Sequence, residues 1–326
     1  MKAANIKKAR DDAYFDRLFS YFKSQFIDIT KIKPLHGNVF LLKTTSKTYV
    51  IKGYQSNKKL KLQEAFTATL KKEGFSKTYQ FLSPPMGEDL FFEGIYFGCI
   101  EYIPSNKTAF SFHTQKNRQD GLDIIEQFHQ ITEKCTSRYR TLLSEADLLG
   151  KWKERLQIFA NNLPFLRYFI SEPFISEWIS WAQWSLNQFE KIPDSFANNP
   201  PVILHGDVAH HNFLRHRKGD LYLIDFDLVS IGPAEFDYLQ YANRILPYLD
   251  WSLDKLFYYP QFKKHREDRS FMVALAYPAD IFREWNRLIR EKTYSDQIKL
   301  KQVIDLSVGQ FYSRKKFFEK VLDQIE

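Results

Sequence analysis

The residues best suited to chemistry lie in one segment, between Val202 and Asp227. A short apolar run leads into Asp207, Asn212 follows in the same polar loop, and a second apolar run ends at Asp225. Carboxylates at the ends of buried strands are costly to desolvate, so they usually pair with a cation or mark a site. Phosphoryl transfer uses one carboxylate to accept a hydroxyl proton, and amide and carboxylate oxygens to hold Mg²⁺. The segment therefore predicts phosphoryl transfer.

The amino-acid sequence of this segment resembles the motifs of a known family. His205-Gly206-Asp207 with Asn212, followed by Asp225-Phe226-Asp227, resembles the H-G-D-x-x-x-x-N loop and I-D-[FW]-[DEG] strand of the aminoglycoside phosphotransferase and choline kinase superfamily. Residues 128–132 look like that family's Leu-His-x-x-[ST] helix, and residues 232–237 are similar to its Gly-Asp-Pro-x-x-Asp segment. The similarity extends from about residue 32 to residue 246. In its overall character the sequence is most similar to the kinase-like proteins of the Bacillus spore-coat type.

The resemblance implies roles for individual residues of the second part of the chain. It implies that Asp207 is the catalytic base and that Asn212 and Asp225 bind Mg²⁺. His205 and Asp237 are expected to be structural, with Asp237 capping a helix or holding the catalytic loop.

The first third of the chain is expected to bind the nucleotide. Lys52, at the end of a Val-Ile-Lys strand, resembles the lysine that steadies the α- and β-phosphates, as in protein kinases. Glu64 is its expected ion-pair partner, with Glu73 as an alternative.

Two further segments complete the nucleotide site that the resemblance implies. Residues 35–39, which include Gly37 and Asn38, are expected to form a loop over the phosphates. Glu101 and Ile103 resemble the ends of the hinge whose backbone meets the adenine. The expected cofactors are therefore ATP and Mg²⁺.

Periodicity predicts the elements that must position these residues. Apolar residues at helical spacing predict an amphipathic helix from about 14 to 26 and further helices at 58–73, 119–134, 151–161 and 177–189. Short β-rich runs predict strands at 39–43, 48–52, 90–92, 96–103, 202–204 and 221–224. From residue 237 the chain is predicted to be helical. The expected fold class is α+β, kinase-like and two-lobed, with a small β-rich N-lobe at residues 1–103 and a larger helical C-lobe at 104–326.

Composition limits the class of protein. Hydrophobic residues make up 44% of the chain, which excludes disorder, and only two cysteines occur, which disfavours a disulfide framework. The net charge of +8 lies mostly before residue 104 and is diffuse, so no nucleic-acid partner is expected. A charged N-terminus without an apolar core predicts no signal peptide and, with no apolar run long enough for a bilayer, a cytoplasmic protein that does not span a membrane.

Several alternatives stay open on the sequence alone. Asp227 is either a second metal ligand or a turn carboxylate, and the histidines between residues 205 and 216 allow a less favoured zinc hypothesis. Trp178, Trp251 and Trp285 are either core residues or walls of a cation–π pocket. The function expected is ATP-dependent transfer of the γ-phosphoryl group to a hydroxyl of a small molecule, as in choline, aminoglycoside or thiamine kinases. The alternative is a weak or inactive kinase-like scaffold, such as a spore-coat component.

Overall fold

Contacts divide the chain into two compact units. The computed structural model describes residues 2–87, 89–192, 196 and 199–325, with backbone only for residues 2–12. Unit 1 comprises Met1–Ala109 and Leu214–Asp227, and unit 2 comprises Phe110–Phe213 and Leu228–Glu326. The segment 214–227 therefore belongs to the first unit by its contacts, although it follows the lobe boundary that the sequence predicts at residues 103 and 104.

Unit 1 is built on a six-stranded antiparallel sheet in the order β1-β2-β3-β6-β4, with β5 also paired to β6. The strands are β1 (Ile29–His36), β2 (Val39–Thr44), β3 (Thr48–Tyr54), β4 (Phe81–Leu82), β5 (Leu90–Phe92) and β6 (Ile95–Glu101). All four strands expected in this region are present. The sequence did not predict β1, because this edge strand exposes most of its side chains and contains Pro34, which an edge tolerates.

The helix α1 (Lys2–Gln25) packs on this sheet through an apolar face. Phe22 is fully buried, and its ring centroid lies 5.3 Å from that of Phe97 in an edge-to-face arrangement. Leu18 and Phe26 extend the same face at helical spacing and belong to the same apolar core. The core keeps β3, the strand of Lys52, in a fixed position.

The helix α2 (Asn57–Lys72) has clear start and stop signals. The Ser56 hydroxyl accepts a hydrogen bond from the Lys59 N–H, as expected of an N-cap. At the other end Gly74 has a φ of +103°, which only glycine adopts without strain, and the Phe75 N–H donates to the Leu70 carbonyl at 2.8 Å. The predicted helix and its glycine stop are confirmed.

Unit 2 is mainly helical. Its helices are α3 (Gln115–Tyr139), α4 (Leu148–Asn161), α5 (Leu163–Leu166), α6 (Glu172–Phe189), α7 (Glu235–Ile245), α8 (Leu253–Leu256), α9 (Pro260–Lys263), α10 (Arg269–Ala276), α11 (Ala279–Arg290), α12 (Gln297–Ser307) and α13 (Phe311–Ile325). Short 3₁₀ helices lie at His210–Asn212, Leu246–Leu249 and Thr293–Ser295. The predicted helices of residues 104–189 are present and extend beyond their predicted starts.

Unit 2 also contains a two-stranded antiparallel ribbon. It pairs β7 (Val202–Leu204) with β10 (Ser230–Gly232), so that Ser230 faces Leu204. The sequence predicts β7 but not β10, which is only three residues long and ends in glycine. This ribbon ends where the loop of Asp207 begins.

The tryptophans weighed for a cation–π pocket are core residues. Trp178 and Trp285 are fully buried, and Trp251 is nearly so. The Trp251 ring is covered by the guanidinium of Arg314, 3.9 Å from the ring centroid. That guanidinium is itself bound to the Asp280 carboxylate at 2.6 Å and 3.0 Å.

None of the helices in the described part of the chain is long and apolar enough to cross a membrane.

Candidate active site

A hairpin carries the Asp225-Phe226-Asp227 segment within unit 1. Its strands are β8 (Phe213–Arg215) and β9 (Leu221–Leu223), and the Leu223 N–H donates to the Lys77 carbonyl at 2.9 Å. Phe226 is fully buried, with its ring 5.5 Å and edge-on from that of Phe66 on α2. The Gln63 side-chain amide donates to the Phe226 carbonyl at 2.7 Å. These contacts fix the two carboxylates that flank Phe226.

Lys52 on β3 forms ion pairs with both of these carboxylates. Its Nζ lies 2.6 Å from Asp225 Oδ1 and 2.9 Å from Asp227 Oδ2. The lysine side chain is only 14% exposed, whereas the side chains of Asp225 and Asp227 are 38% and 31% exposed, so these pairs are shielded from water on the lysine side alone. Asp227 Oδ1 is buried and accepts no hydrogen bond within the described residues. A buried carboxylate oxygen without a donor suits a hard cation such as Mg²⁺.

Asp225 has an unusual backbone conformation, and the nearby Tyr79 hydroxyl has a shifted pKa. Asp225 has a φ of +69°, a left-handed conformation that costs energy for a residue with a Cβ and is frequent at functional sites. Burial raises the pKa of the Tyr79 hydroxyl well above its usual value, and the negative charges of Asp225 and Asp227 raise it further. The two aspartates thus create a negative field at the end of β9.

The prediction that Lys52 forms an ion pair with Glu64 is wrong. Glu64 pairs instead with Lys61, one turn earlier on α2, at 3.1 Å. Lys52 is occupied by Asp225 and Asp227, which the sequence did not identify as its partners. Sequence reasoning could not predict which carboxylates contact Lys52, because Asp225 and Asp227 lie far from it along the chain.

The expected loop over the phosphates is shorter than predicted. Residues 35 and 36 end β1 and residue 39 begins β2, so only Gly37 and Asn38 form the turn. Gly37 has a φ of +49°, which a tight turn requires. The Asn38 carbonyl accepts a hydrogen bond of 2.8 Å from the N–H of Gly53, the residue after Lys52. The turn is therefore tied to the lysine strand.

The expected hinge follows the end of β6. The Glu101 N–H donates to the Gln80 carbonyl at 2.9 Å, and its carboxylate lies 3.6 Å from Lys71 Nζ. Neither the N–H nor the C=O of Ile103 has a hydrogen-bond partner within the described residues. These backbone groups can bind a ligand that presents a donor and an acceptor side by side, as a purine does.

In unit 2, Asp237 at the start of α7 holds the loop that follows β7. Its carboxylate accepts hydrogen bonds from the backbone N–H groups of His205 at 2.7 Å and Gly206 at 3.0 Å, and lies 2.9 Å from His129 Nε2. Burial alone would raise the pKa of this carboxyl, but the hydrogen bond and charge of His129, the charge of His205 and its N–H outweigh burial and lower the pKa.

Gln240, one turn along α7, holds the same loop from the side. Its Oε1 accepts from the Val208 N–H at 2.7 Å, and its Nε2 donates to the Gly206 carbonyl at 2.9 Å. Gly206 has a φ of +78°, and a Cβ there would collide with the Leu228 carbonyl oxygen. The His-Gly-Asp sequence thus needs its glycine for both conformation and space.

The Asp207 carboxylate lies close to side chains that can donate hydrogen bonds to it. The Asn212 side-chain amide donates to the Asp207 carbonyl at 2.7 Å and to Oδ2 at 3.2 Å. Arg244 Nη2 lies 3.0 Å from Oδ1, and His211 Nε2 lies 3.7 Å from Oδ2. Both contacts of the buried Asn212 with Asp207 are made by its Nδ2. Its Oδ1 has no partner among the described residues and is therefore available to accept a hydrogen bond or to bind a metal ion.

The histidine cluster that allowed a zinc hypothesis is not a metal site. No group of three or more His, Cys, Asp or Glu side chains within the described ranges is arranged to hold a metal ion. Burial lowers the pKa of His210, and the charges of His211 and Arg244 lower it further. His205 is fully buried at the start of the loop that carries Asp207, and its Nδ1 accepts a hydrogen bond of 3.3 Å from the Asp207 N–H.

Comparison with known proteins identifies the family. The sequence model of the APH family, described as the phosphotransferase enzyme family, matches residues 29–251, more than half of the chain. The chain belongs to this family. The superfamily resemblance drawn from its motifs is thereby confirmed, whereas the narrower likeness to spore-coat proteins stays a prediction.

Solved structures share the fold of this phosphotransferase. An aminoglycoside phosphotransferase from Alicyclobacillus acidocaldarius aligns with a TM-score of 0.70 and 18% identity over 93% of this chain and 94% of its own. The choline kinase of Streptococcus pneumoniae aligns at 0.55 and 16% identity, over 94% and 99%. An amicoumacin kinase aligns at 0.61 and 14% identity, over 96% of each chain. These likenesses confirm the predicted α+β kinase-like fold.

Sequence reasoning missed two residues of the phosphotransferase that contact the loop of Asp207. Both Gln240 and Arg244 project from α7 at helical spacing from Asp237. Periodicity counted from Asp237 is a signal that identifies them, since residues three and four apart share one helix face.

We predict that Asp237→Ala destabilises the protein by about 3–5 kcal/mol at neutral pH, because buried donors lose a charged acceptor. A carboxyl whose folded pKa is lowered stabilises the fold above its unfolded pKa of about 3.9, and this stabilisation disappears as pH falls through the folded pKa. Urea unfolding should show that the loss in the free energy of unfolding caused by Asp237→Ala is constant above about pH 5 and smaller below about pH 4. The exposed helix cap Asp296 is the control, since Asp296→Ala should cost only about 1 kcal/mol. Equal losses for both variants would contradict the structural role of Asp237.

Proposed function

We propose that this phosphotransferase transfers the γ-phosphoryl group of ATP to a hydroxyl of a small molecule. The observation that carries the proposal is the bond of Lys52 to Asp225 and Asp227, in a chain of this family. A shielded lysine beside two carboxylates, one with an unpartnered oxygen, offers both a phosphate contact and metal ligands.

The nucleotide contacts in the proposal come mainly from unit 1. Lys52 binds the α- and β-phosphates, the turn of Gly37 and Asn38 covers the phosphates, and the backbone at Glu101 and Ile103 binds the adenine. Support comes from the turn's hydrogen bond to the residue after Lys52 and from the unpartnered peptide groups of Ile103. Glu64 has no direct nucleotide contact in this proposal, since Lys61 is its partner.

Metal binding is assigned to Asp225 and Asn212. Asp227 is a candidate for a further ligand, because its buried Oδ1 lacks a donor. Carboxylate and amide oxygens fit Mg²⁺, which keeps several waters and needs few protein ligands. When bound, Mg²⁺ would neutralise charge on the phosphates.

Asp207 is the proposed base. The acceptor hydroxyl oxygen forms a bond to the γ-phosphorus, its proton passes to the Asp207 carboxylate, and the bond to the β-phosphate oxygen breaks to release ADP. Support comes from the hydrogen bonds that orient this carboxylate, from Asn212 on one side and Arg244 on the other. Most of the rate enhancement is expected from positioning and charge neutralisation.

The structural relatives support nucleotide use and small acceptors. The amicoumacin kinase is described in complex with AMP-PNP and Ca²⁺, and another relative is a choline kinase. ATP, Mg²⁺ and the hydroxyl acceptor of this chain are proposals that follow from these proteins and from its own residues. A cytoplasmic location stays a prediction from the sequence.

A thermal-shift measurement followed by an acceptor screen tests the proposal. Mg·ATP at 100 times its Kd should add about 2.7 kcal/mol of stability, and Mg²⁺ or ATP alone should add less. ATP consumption is then measured across hydroxyl-bearing metabolites, with the Asp207→Asn variant as the blank. No shift with Mg·ATP would overturn the proposal. A shift without consumption of any acceptor would favour the nucleotide-binding scaffold instead.

A further inference from the structure

Two histidine rings border the carboxylate of Asp207 in unit 2. His210 and His211 fill variable positions of the motif between Asp207 and Asn212, and both side chains are exposed. Their ring centroids lie 5.4 Å apart, and His211 Nε2 lies 3.7 Å from Asp207 Oδ2. A molecule whose hydroxyl reaches the Asp207 carboxylate therefore lies next to these rings.

The row of rings continues into two other segments of unit 2. The Phe112 ring lies 6.4 Å from that of His210 and 6.4 Å from that of Tyr248. The Tyr248 ring in turn lies 4.9 Å from that of His113. These five rings make up an aromatic surface, in which Phe112 is buried and the other members are exposed: His113, His210, His211 and Tyr248.

Buried hydrogen bonds hold the segment that carries Phe112 and His113. Arg118 on α3 is buried, and its Nη1 donates to the Phe112 carbonyl at 2.7 Å and to the His113 carbonyl at 2.9 Å. Its Nε donates to the Tyr259 hydroxyl at 2.6 Å. This end of the aromatic surface is therefore in place before a ligand binds, which lowers the entropic cost of binding.

Helix α7 positions the remaining rings. Tyr248 lies in the 3₁₀ helix Leu246–Leu249, which directly follows α7. From α7 itself, Gln240 accepts a hydrogen bond from the Val208 N–H in the loop of His210. The same helix thus fixes the turn of Tyr248 and the loop of His210 relative to one another.

The aromatic surface suits an uncharged planar ring. Partial burial lowers the pKa of His210, and the charges of His211 and Arg244 lower it further against the effect of Asp207, so its imidazole is neutral at neutral pH. The Asp207 carboxylate is already paired with Arg244 at 3.0 Å, so an ammonium group would have to compete with that arginine. An aromatic ligand gains from edge-to-face and offset-stacked contacts beyond the area that it buries.

We propose, on the basis of the function proposed above, that the acceptor is a hydroxyl compound with an uncharged aromatic or heteroaromatic ring, and that this ring packs against the aromatic surface. Tyr248 and His210 are then specificity-determining residues, which hold the ring while its hydroxyl reaches the Asp207 carboxylate. An aliphatic acceptor of the same size buries a similar area but makes no ring contacts, so it binds less tightly.

The test compares benzyl alcohol with cyclohexylmethanol, which has nearly the same size but no aromatic ring. Each probe, and choline separately, is titrated into protein saturated with Mg·AMP-PNP, and binding is followed by ligand-observed NMR, which detects weak binding. We expect benzyl alcohol to bind about threefold or more tightly than cyclohexylmethanol, and choline to bind no better than cyclohexylmethanol.

Tyr248→Leu should weaken the binding of benzyl alcohol about threefold or more, because leucine keeps an apolar contact but removes the ring. His210→Leu should have the same effect, whereas Tyr248→Phe should bind benzyl alcohol as the unaltered protein does. The control is Tyr168→Leu, since Tyr168 is an exposed tyrosine of unit 2 outside the aromatic surface. This control should leave the binding of every probe unchanged.

The outcomes separate this inference from the proposed function. Failure of Mg·AMP-PNP to bind counts against the proposed function, and the probes are then titrated without nucleotide, since the rings of the aromatic surface all belong to unit 2. Three results would overturn the aromatic acceptor: benzyl alcohol binding no better than cyclohexylmethanol, undiminished binding of benzyl alcohol by Tyr248→Leu, or tighter binding of choline that is lost in Tyr248→Leu.

Discussion

Asp207→Asn is expected to lower kcat by about two to four orders of magnitude while the Kd for Mg·ATP changes little. The substitution keeps the size of the side chain and one oxygen, but it removes the carboxylate that is proposed to accept the hydroxyl proton. Asn212 and Arg244 both contact the Asp207 side chain, so the loop should keep its shape. The measurement is steady-state turnover together with nucleotide titration of the same preparation.

Asp254→Asn provides a matched control for this change. Asp254 is an exposed aspartate of unit 2 that is also paired with an arginine, so the variant removes one carboxylate outside the loop. Its turnover should equal that of the unaltered protein. Undiminished turnover in the Asp207 variant would mean that another group accepts the proton. A parallel loss of nucleotide affinity would instead indicate that the loop had collapsed.

Much of the fold follows from local patterns in the sequence. The strands that carry Lys52 and precede Asp207 are short apolar runs bounded by turns, and both are found where expected. Helix α2 carries its own start and stop signals in Ser56 and Gly74, so its limits were predictable to one residue. Local signals succeed here because the physical cause, capping or burial of one face, lies within the element.

Contacts between distant segments could not be read in the same way. Glu64 lies at a plausible distance along the chain from Lys52, yet Asp225 and Asp227 form the ion pairs. Strand β1 also escaped prediction, because its hydrogen bonds to β2, and not its side chains, define it. Choice of partner depends on how the chain folds back on itself, which periodicity does not measure.

The same limit explains why Arg244 was missed. Its importance lies in a 3.0 Å contact with a residue of another segment, and the one mark that it carries in the sequence is its helical spacing from Asp237. Asp237, by contrast, belongs to a motif, and the structure places its carboxylate on the backbone of His205 and Gly206. A sequence motif identifies a residue whose neighbours along the chain are also restricted in type. It does not identify a residue that is restricted only by a contact with another element.

Asp225→Asn is expected to weaken Mg·ATP binding itself, by about tenfold or more, because the charge of the proposed metal ligand is lost. Asparagine tolerates the left-handed backbone that this position adopts, at a φ of +69°, so the loss would report charge and not strain. Asp225→Ala removes the ligand and adds strain, and should therefore bind no better. Binding is measured by titration with and without Mg²⁺, and the deficit should be confined to the titration that contains the metal.

Comparison with a second carboxylate of the hairpin decides whether Asp225 has this role. Asp220 is on the same hairpin and also pairs with a lysine, since its Oδ1 lies 2.7 Å from Lys77 Nζ. Asp220→Asn removes an equal charge from unit 1, so it controls for general electrostatic attraction of the nucleotide. If both variants bound Mg·ATP as tightly as the unaltered protein, Asp225 would not be a metal ligand. A loss in Asp225→Asn alone would assign the metal to the carboxylate that Lys52 contacts at 2.6 Å.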